Sequence, residues 1–200
     1  MKYINPRSIF KWNQSNFIPI NLNQFYLQNK DKITDTKNPA QINDLLRSLP
    51  YDTIGGYGED RKDIWRGTYL DKTQQYVHLG VDINTVRHTL VYAPLTATVI
   101  DVFHDKDTKI GWGGRIILQS GKNAPYVIMA HLNPDTITVK VGDFINEGYY
   151  IGQIGTYPSN GNTFEHLHLQ LRLTDDFDTM DGYGSYTDLV NNPCPFTTEV

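Results

Sequence analysis

The strongest constraint on the fold lies near the end of the chain, where Phe164 to Leu173 reads FEHLHLQLRL. Apolar and polar residues alternate there with a period of two, the period of a strand and not the 3.6 of a helix. Leu167, Leu169 and Leu171 fall on one face, and His166, His168 and Gln170 on the other. Three leucines close a core. Two imidazoles on the opposite face are a poor packing choice, because a buried histidine pair needs partners for every ring nitrogen. The segment predicts a strand whose back is structural and whose front carries a metal or catalytic function.

A second segment points the same way. In YVHLGVDIN, Gly80 and the β-branched Val81 and Ile83 argue for extended backbone around His78 and Asp82. Residues four apart on an extended segment share a face, so both side chains can turn to one ion while Leu79, Val81 and Ile83 turn away. His131 follows the strand-like run YVIMA and begins the loop His131-Leu132-Asn133-Pro134, where a strand leaves the core. Hydrolytic zinc is held by three His, Asp, Glu or Cys ligands and keeps a fourth position for water. Two imidazoles and one carboxylate meet that need and leave two histidines over, available as proton carriers or hydrogen-bond donors.

The rest of the chain reads as mainly β. Strand signals cover Leu90 to Tyr92, Ala97 to Phe103, Arg115 to Gln119, Tyr126 to Ala130, Tyr149 to Ile154 and Leu167 to Leu173, with turn residues between them. Lys140 to Gly155, KVGDFINEGYYIGQIG, predicts a compact antiparallel β-turn-β unit. One helix is expected, Asn38 to Leu49, with Asn38 as cap, Pro39 in the first turn and Ile42, Leu45, Leu46 and Leu49 at helical spacing. It belongs to an N-terminal extension, residues 1–75, whose Phe10, Trp12, Phe17, Phe25 and Tyr26 suggest that it packs on the domain. A catalytic domain over residues 76–175 and a C-terminal tail over 176–200 complete the expected layout.

Two hundred residues, 39% of them hydrophobic, suit one domain with a sizeable core. The net charge of −4 is spread over interspersed acids and bases without a Lys/Arg block, which argues against nucleic acid as a partner. Cys194 is the single cysteine, so no intrachain disulfide forms. The N-terminal sequence gives no secretory signal pattern and no run of about 18 apolar residues occurs. The expected product is cytoplasmic as synthesised, reaching the cell exterior only by non-standard export. Oligomeric state is left open.

These motifs together resemble the lysostaphin/LytM-type zinc metallopeptidases, which share H-x-G-x-D, a later G-H-L or A-H-L, and a terminal H-L-H strand. Here they read His78-Leu79-Gly80-Val81-Asp82, Ala130-His131-Leu132 and His166-Leu167-His168. APLTATVIDV and VGDFINEGYYIGQIG resemble the family's flanking segments, so the resemblance runs from about Tyr76 to Leu173. Phe164-Glu165 and Leu169-Gln170 flank the H-L-H where the family has other pairs. The segments GGYGEDRKDIWRG and DGYGSYTDLVNNPCPF look like a subgroup without signal peptides.

The resemblance implies an antiparallel β-sheet groove with a short N-terminal helical or irregular extension, and Zn2+ held by His78, Asp82 and His168. It implies His131 and His166 as the catalytic pair, one acting as base toward the attacking water and the other stabilising the oxyanion. Tyr157 and Asn160, in GTYPSNGNTFEH, are candidate substrate-binding residues of the groove wall. The implied substrate is a peptide of peptidoglycan cross-links or stems. The alternatives are a non-secreted zinc hydrolase acting on another small peptide or amide, and a zinc-retaining binding module without catalysis. Outside the motifs, His88 and His104 read as exposed, and Asp105 to Asp107 as a solvated loop. Trp112 reads as groove-lining or core-capping, Asp101 and Glu147 as residues without a partner, and Asp175 to Asp178 as an acidic loop.

Overall fold

The structure is a computed structural model that describes residues 4–11, 17–35, 38–68, 70–85, 90–104, 111–177 and 182–196. Among the described residues, the N-terminal extension, or lead-in, begins with α1 (Pro6–Phe10), β1 (Ile18–Ile20), α2 (Leu22–Gln28), α3 (Pro39–Ser48) and β2 (Thr53–Gly55). Two single-turn helices follow, α4 (Lys62–Trp65) and α5 (Leu70–Thr73). The strands β3 (Val77–His78), β4 (Val81–Asn84), β5 (Leu90–Tyr92), β6 (Ala97–His104), β7 (Gly114–Gln119) and β8 (Tyr126–Leu132) come next. The chain continues through β9 (Phe144–Ile145), β10 (Tyr150–Gln153), β11 (Leu167–Arg172), β12 (Tyr183–Gly184) and a 3-10 helix at Tyr186–Val190.

Eight strands form one sheet in the order β1-β2-β4-β11-β8-β7-β6-β9, antiparallel throughout except for the parallel pair β1 and β2. The alternating strand β11 sits inside the sheet, with β4 on one side and β8 on the other. Its leucines enter the main core beside Val81, Ile83, Ile116, Leu118, Val127 and Met129. Strict alternation then puts His168 and Gln170 on the opposite face. Register does the rest, because His168 stands opposite Asp82 on β4 and opposite Ala130 on β8.

The segment Lys140 to Gly155 corrects the expectation of a β-turn-β unit. Its two strands do not pair with each other: β9 pairs with β6 through Ala97↔Ile145, and β10 with β5 through Tyr150↔Tyr92. A turn in which Tyr149 N donates to Asn146 O at 3.0 Å passes the chain from one sheet to the other. Strands this short gain little from each other, whereas pairing with separate edges puts both Ile145 and Ile151 into the main core.

The expected helix is α3, with Asn38 Oδ1 accepting from Ala40 N at 3.1 Å and Pro39 in its first turn. Ile42 and Leu46 bury into a second core with Leu22, Ile33, Ile64 and Phe164. Phe164 therefore ties the approach to β11 into the lead-in. Asn43 Oδ1 accepts from Glu165 N at 2.7 Å, and Arg47 pairs with Glu165 at 2.7 Å. Ile4, Ile9 and Phe10 of the lead-in enter the main core, and Phe17 packs against it. Trp12 lies outside the described residues. Among the described residues, no helix is long and apolar enough to cross a membrane.

Candidate metal centre

Sheet register, one left-handed residue and one tight loop bring five side chains together. Asp82 and His168 come as a cross-strand pair, and His78 joins them from β3 across Gly80. A Cβ on Gly80 would lie 2.6 Å from His168 Cε1 and Nε2, so the H-x-G-x-D glycine is what lets the ring stand there. Gly80→Ala should push that ring aside and weaken metal binding roughly 10-fold, the low end of what losing an outer-shell support costs. Chelator competition measures this, and unchanged affinity would contradict the packing argument.

His131, the penultimate residue of β8, has φ of 64°, a conformation uncommon for a side-chain-bearing residue and frequent at functional sites. The twist breaks the alternation of β8, with His131 N donating to Trp112 O and its carbonyl accepting from Gly155 N, each at 2.8 Å. The His131 ring lies 4.4 Å from the His166 ring, and the Phe164 ring stacks on His166 at 4.3 Å.

Acceptors behind the rings set which nitrogen carries the proton. His78 Nδ1 donates to Gly56 O at 3.0 Å, His131 Nδ1 to Asn160 O at 2.8 Å, and His166 Nδ1 to Phe164 O at 2.8 Å. Carbonyls only accept, so the Nε2 of each ring is a lone pair turned inward. The His168 tautomer is set through three neighbouring side chains. Arg172 can only donate, so Asn192 Oδ1, 3.2 Å from Arg172 Nη1, must be the acceptor. Asn192 Oδ1 then takes Gln170 Nε2–H at 2.6 Å, which leaves Gln170 Oε1 to accept from His168 Nε2 at 2.9 Å. His168 Nδ1 is thus the inward lone pair.

The inward atoms converge. His78 Nε2 lies 3.0 Å from His168 Nδ1, and Asp82 Oδ1 lies 3.3, 3.2 and 3.3 Å from His78 Nε2, His168 Nδ1 and His166 Nε2. Lone pairs facing one another at such distances repel unless a cation lies among them. Tetrahedral donors at about 2.0–2.1 Å from zinc are roughly 3.3 Å apart, so the spacing and the donor types both fit that ion. Among the described residues, two overlapping triads could hold a metal: His78, Asp82 and His168, or His131, His166 and His168. Only the first contains a carboxylate, which adds charge attraction to the ligand set.

Burial, reinforced by the nearby Arg61 guanidinium, lowers His78 to about 3, and burial lowers His166 to about 4. Burial together with His166 and His168 takes His131 well below its ordinary range. Burial works against ionisation of Asp82, but His166, His78 and Arg61 outweigh it and hold the carboxyl well below the carboxylate range. Near neutral pH the centre therefore combines the neutral imidazoles of His78, His131 and His166 with the Asp82 carboxylate, and metal ligands must be deprotonated in this way. In the metal-free protein, histidines lowered on folding bind fewer protons than in the unfolded chain, so they should make stability fall as pH drops from about 6.5 toward 4. Each contributes up to about 1.4 kcal/mol per pH unit. Urea midpoints at pH 7.5 and pH 5 check this, and an equal or higher midpoint at pH 5 would contradict it.

Beside the centre is a cavity of about 70 Å³, room for a few waters. Trp65, Leu70, Tyr183 and Gly161 to Thr163 line it together with His78, His131, His166 and His168. Burial pushes the Tyr183 phenol up to about 12, so it stays protonated.

The wall candidates are placed differently from expectation. Asn160 is fully buried, with its amide donating to the carbonyls of Thr163 and Phe164, so it shapes the loop, and its own carbonyl holds His131. Tyr157 is 55% exposed and does not line the cavity. Trp112 is buried with its ring 5.3 Å from that of His168. Asp101 has a partner after all, Arg115 at 2.9 Å, and Glu147 N donates to Thr96 Oγ1. His104 is exposed. His88, Asp105 to Asp107 and Asp178 lie outside the described residues, while Asp176 pairs with Arg172.

Sequence reasoning missed the residues that hold this centre from behind: Gly56, Glu59, Arg61 and Trp65 before the motifs, and Tyr183 and Asn192 after them. The only signal was that their two segments, GGYGEDRKDIWRG and DGYGSYTDLVNNPCPF, flank the motif-bearing part of the chain.

Residues 76–180 match the model of peptidase family M23. Among solved structures, the catalytic domain of the antimicrobial peptidase lysostaphin from Staphylococcus simulans is 23% identical, with a TM-score of 0.44 over 57% of this chain and 80% of that one. A longer lysostaphin chain from Staphylococcus simulans is 24% identical, TM-score 0.43, over 56% of this chain and 42% of that one. A zinc-containing peptidase from Vibrio cholerae is 24% identical, TM-score 0.38, over 48% of this chain and 27% of that one. The chain thus spans less than half the length of the last two. No curated protein sequence matches the chain.

Proposed function

This chain belongs to peptidase family M23, and on that premise we propose that it is a zinc metallopeptidase that hydrolyses peptide bonds of peptidoglycan cross-links or stem peptides. His78, Asp82 and His168 hold the zinc in this reading. The observation that carries it is the mutual spacing of 3.0–3.3 Å among His78 Nε2, Asp82 Oδ1 and His168 Nδ1. When bound, zinc supplies a Lewis acid that polarises a carbonyl oxygen and lowers the pKa of water.

The chain's own residues do the rest. His131 and His166 are neutral, with Nδ1–H tied to a backbone carbonyl and Nε2 turned inward, so each is oriented to take a proton at Nε2 from the attacking water. Neither Nε2 carries a hydrogen beforehand. The ring that takes the proton is therefore the one with an N–H to offer next: it hydrogen-bonds to the oxyanion while keeping that proton, then transfers it to the leaving amine as the C–N bond breaks. The cavity walls of Trp65, Leu70, Tyr183 and the Gly161 to Thr163 turn carry no formal charge, which suits a peptide backbone better than a charged side chain. The peptidoglycan substrate itself rests on the motif resemblance.

The test is mass spectrometry of purified peptidoglycan and of short glycine- and D-alanine-containing peptides after incubation with the protein, with and without chelator and zinc add-back. Chelator-sensitive cleavage restored by zinc is expected and identifies the bond. A zinc-loaded protein that leaves every one of these substrates intact would refute the proposed substrate.

A further inference from the structure

We propose that Arg61 is a positioning residue of the metal centre, and that it makes the segment before the family-matched residues an integral part of that centre. The inference rests on Asp82 being a ligand, as argued above, and goes beyond it. A carboxylate that ligates through one oxygen must satisfy the other. Asp82 is buried, so bulk water is not there to do so. Arg61, 1% exposed, supplies the partner: its Nη1 donates to Asp82 Oδ2 at 2.6 Å, which leaves Oδ1 facing the three imidazoles.

The guanidinium is itself held on several sides. Its Nε donates to Glu59 Oε2 at 3.1 Å, and Nη1 also reaches the Tyr183 hydroxyl at 3.1 Å. Trp65 Nε1 donates to the same hydroxyl at 2.8 Å. One planar fork can serve these acceptors in fixed directions, and a lysine ammonium cannot. Glu59 also cancels the arginine's charge, so orienting Asp82 adds no net positive charge beside a divalent cation.

The backbone shows the segment fitted to this task. Gly55 on β2 stands opposite Asp82 on β4. Gly56 adopts φ of +100°, and a Cβ there would collide with Arg61 Nη2 and lie 2.8 Å from His78 Nδ1. His78 N donates to Glu59 O and Arg61 N to Tyr76 O, so the segment is zipped to the ligand-bearing strand. The carbonyl that fixes the His78 tautomer, Gly56 O, comes from the same stretch.

The experiment uses the full chain as Arg61→Lys and Arg61→Gln, with wild type and His168→Ala alongside. Zinc affinity is read by competition with a chromophoric chelator, and site geometry by the visible absorption of the Co2+-substituted protein. Loss of an outer-shell partner typically weakens metal binding by about 10–100-fold. Arg61→Lys should fall near the lower end of that range and Arg61→Gln near the upper end, both with altered cobalt bands. Wild-type affinity and an unchanged cobalt spectrum in folded Arg61→Gln would overturn the proposal. So would collapse of both Arg61 variants even at saturating zinc, which would make the arginine a plain folding residue. Failure of wild type to bind zinc, or wild-type affinity in His168→Ala, would instead overturn the ligand assignment beneath it.

Discussion

Replacing His168 with alanine should strip the protein of zinc and of hydrolytic activity together. His168 Nδ1 lies within 3.2 Å of both His78 Nε2 and Asp82 Oδ1, and it belongs to both triads able to hold a metal. Its loss leaves two donors where hydrolytic zinc needs three protein ligands. Affinity should fall by more than the roughly 100-fold that marks the upper end for an outer-shell change. The variant is a cleaner probe than a change at Asp82, which would leave Arg61 buried against one carboxylate instead of two. Breaking a buried ion pair costs about 3–5 kcal/mol and would mix unfolding with metal loss. Metal analysis after dialysis and peptide cleavage should decline in step, and a variant that keeps both would remove His168 from the centre.

Replacing His131 should give the opposite pattern, with zinc retained and turnover lost. In this account His131 is not among the three ligands. Its Nδ1 is occupied by Asn160 O, and its ring faces His166 at 4.4 Å. The substitution needs care, because φ of 64° is costly for alanine and tolerated by asparagine. His131→Asn should keep the backbone and lose the proton carrier. The rate should drop by about 10²–10⁴, the usual scale for general acid–base groups, while zinc content stays at one per chain. Loss of zinc in His131→Asn equal to that in His168→Ala would favour the triad of His131, His166 and His168 instead.

The part of this centre that was legible in the sequence is the part that periodicity encodes. Alternation in FEHLHLQLRL placed His168 and Gln170 on the face opposite three core leucines. H-x-G-x-D named His78 and Asp82, but the expected single extended segment breaks at Leu79-Gly80, so the two residues meet from β3 and β4, strands of different sheets; the other strand positions agree with the signals to within one or two residues. What stayed hidden depends on which strands become neighbours. Arg61 reads as one more charge in EDRKD, since nothing local says that β2 will pair with β4 and carry the following turn behind Asp82. The Lys140 to Gly155 segment failed for the same reason: its turn was visible, but the partners of its two strands lay in β5 and β6. The short helices α1 and α2 escaped because five and seven residues hold too few turns for a period to show. Asn160 shows a further limit, because composition marks a polar loop residue as available for binding while the fold uses its carbonyl to orient His131.

The central claim is the identity of the metal's ligands, and anomalous diffraction at the zinc edge from zinc-loaded crystals addresses it most directly. The account predicts one strong peak about 2.0–2.2 Å from His78 Nε2, Asp82 Oδ1 and His168 Nδ1. A peak held by His131, His166 and His168, or one lying outside both triads, would contradict it.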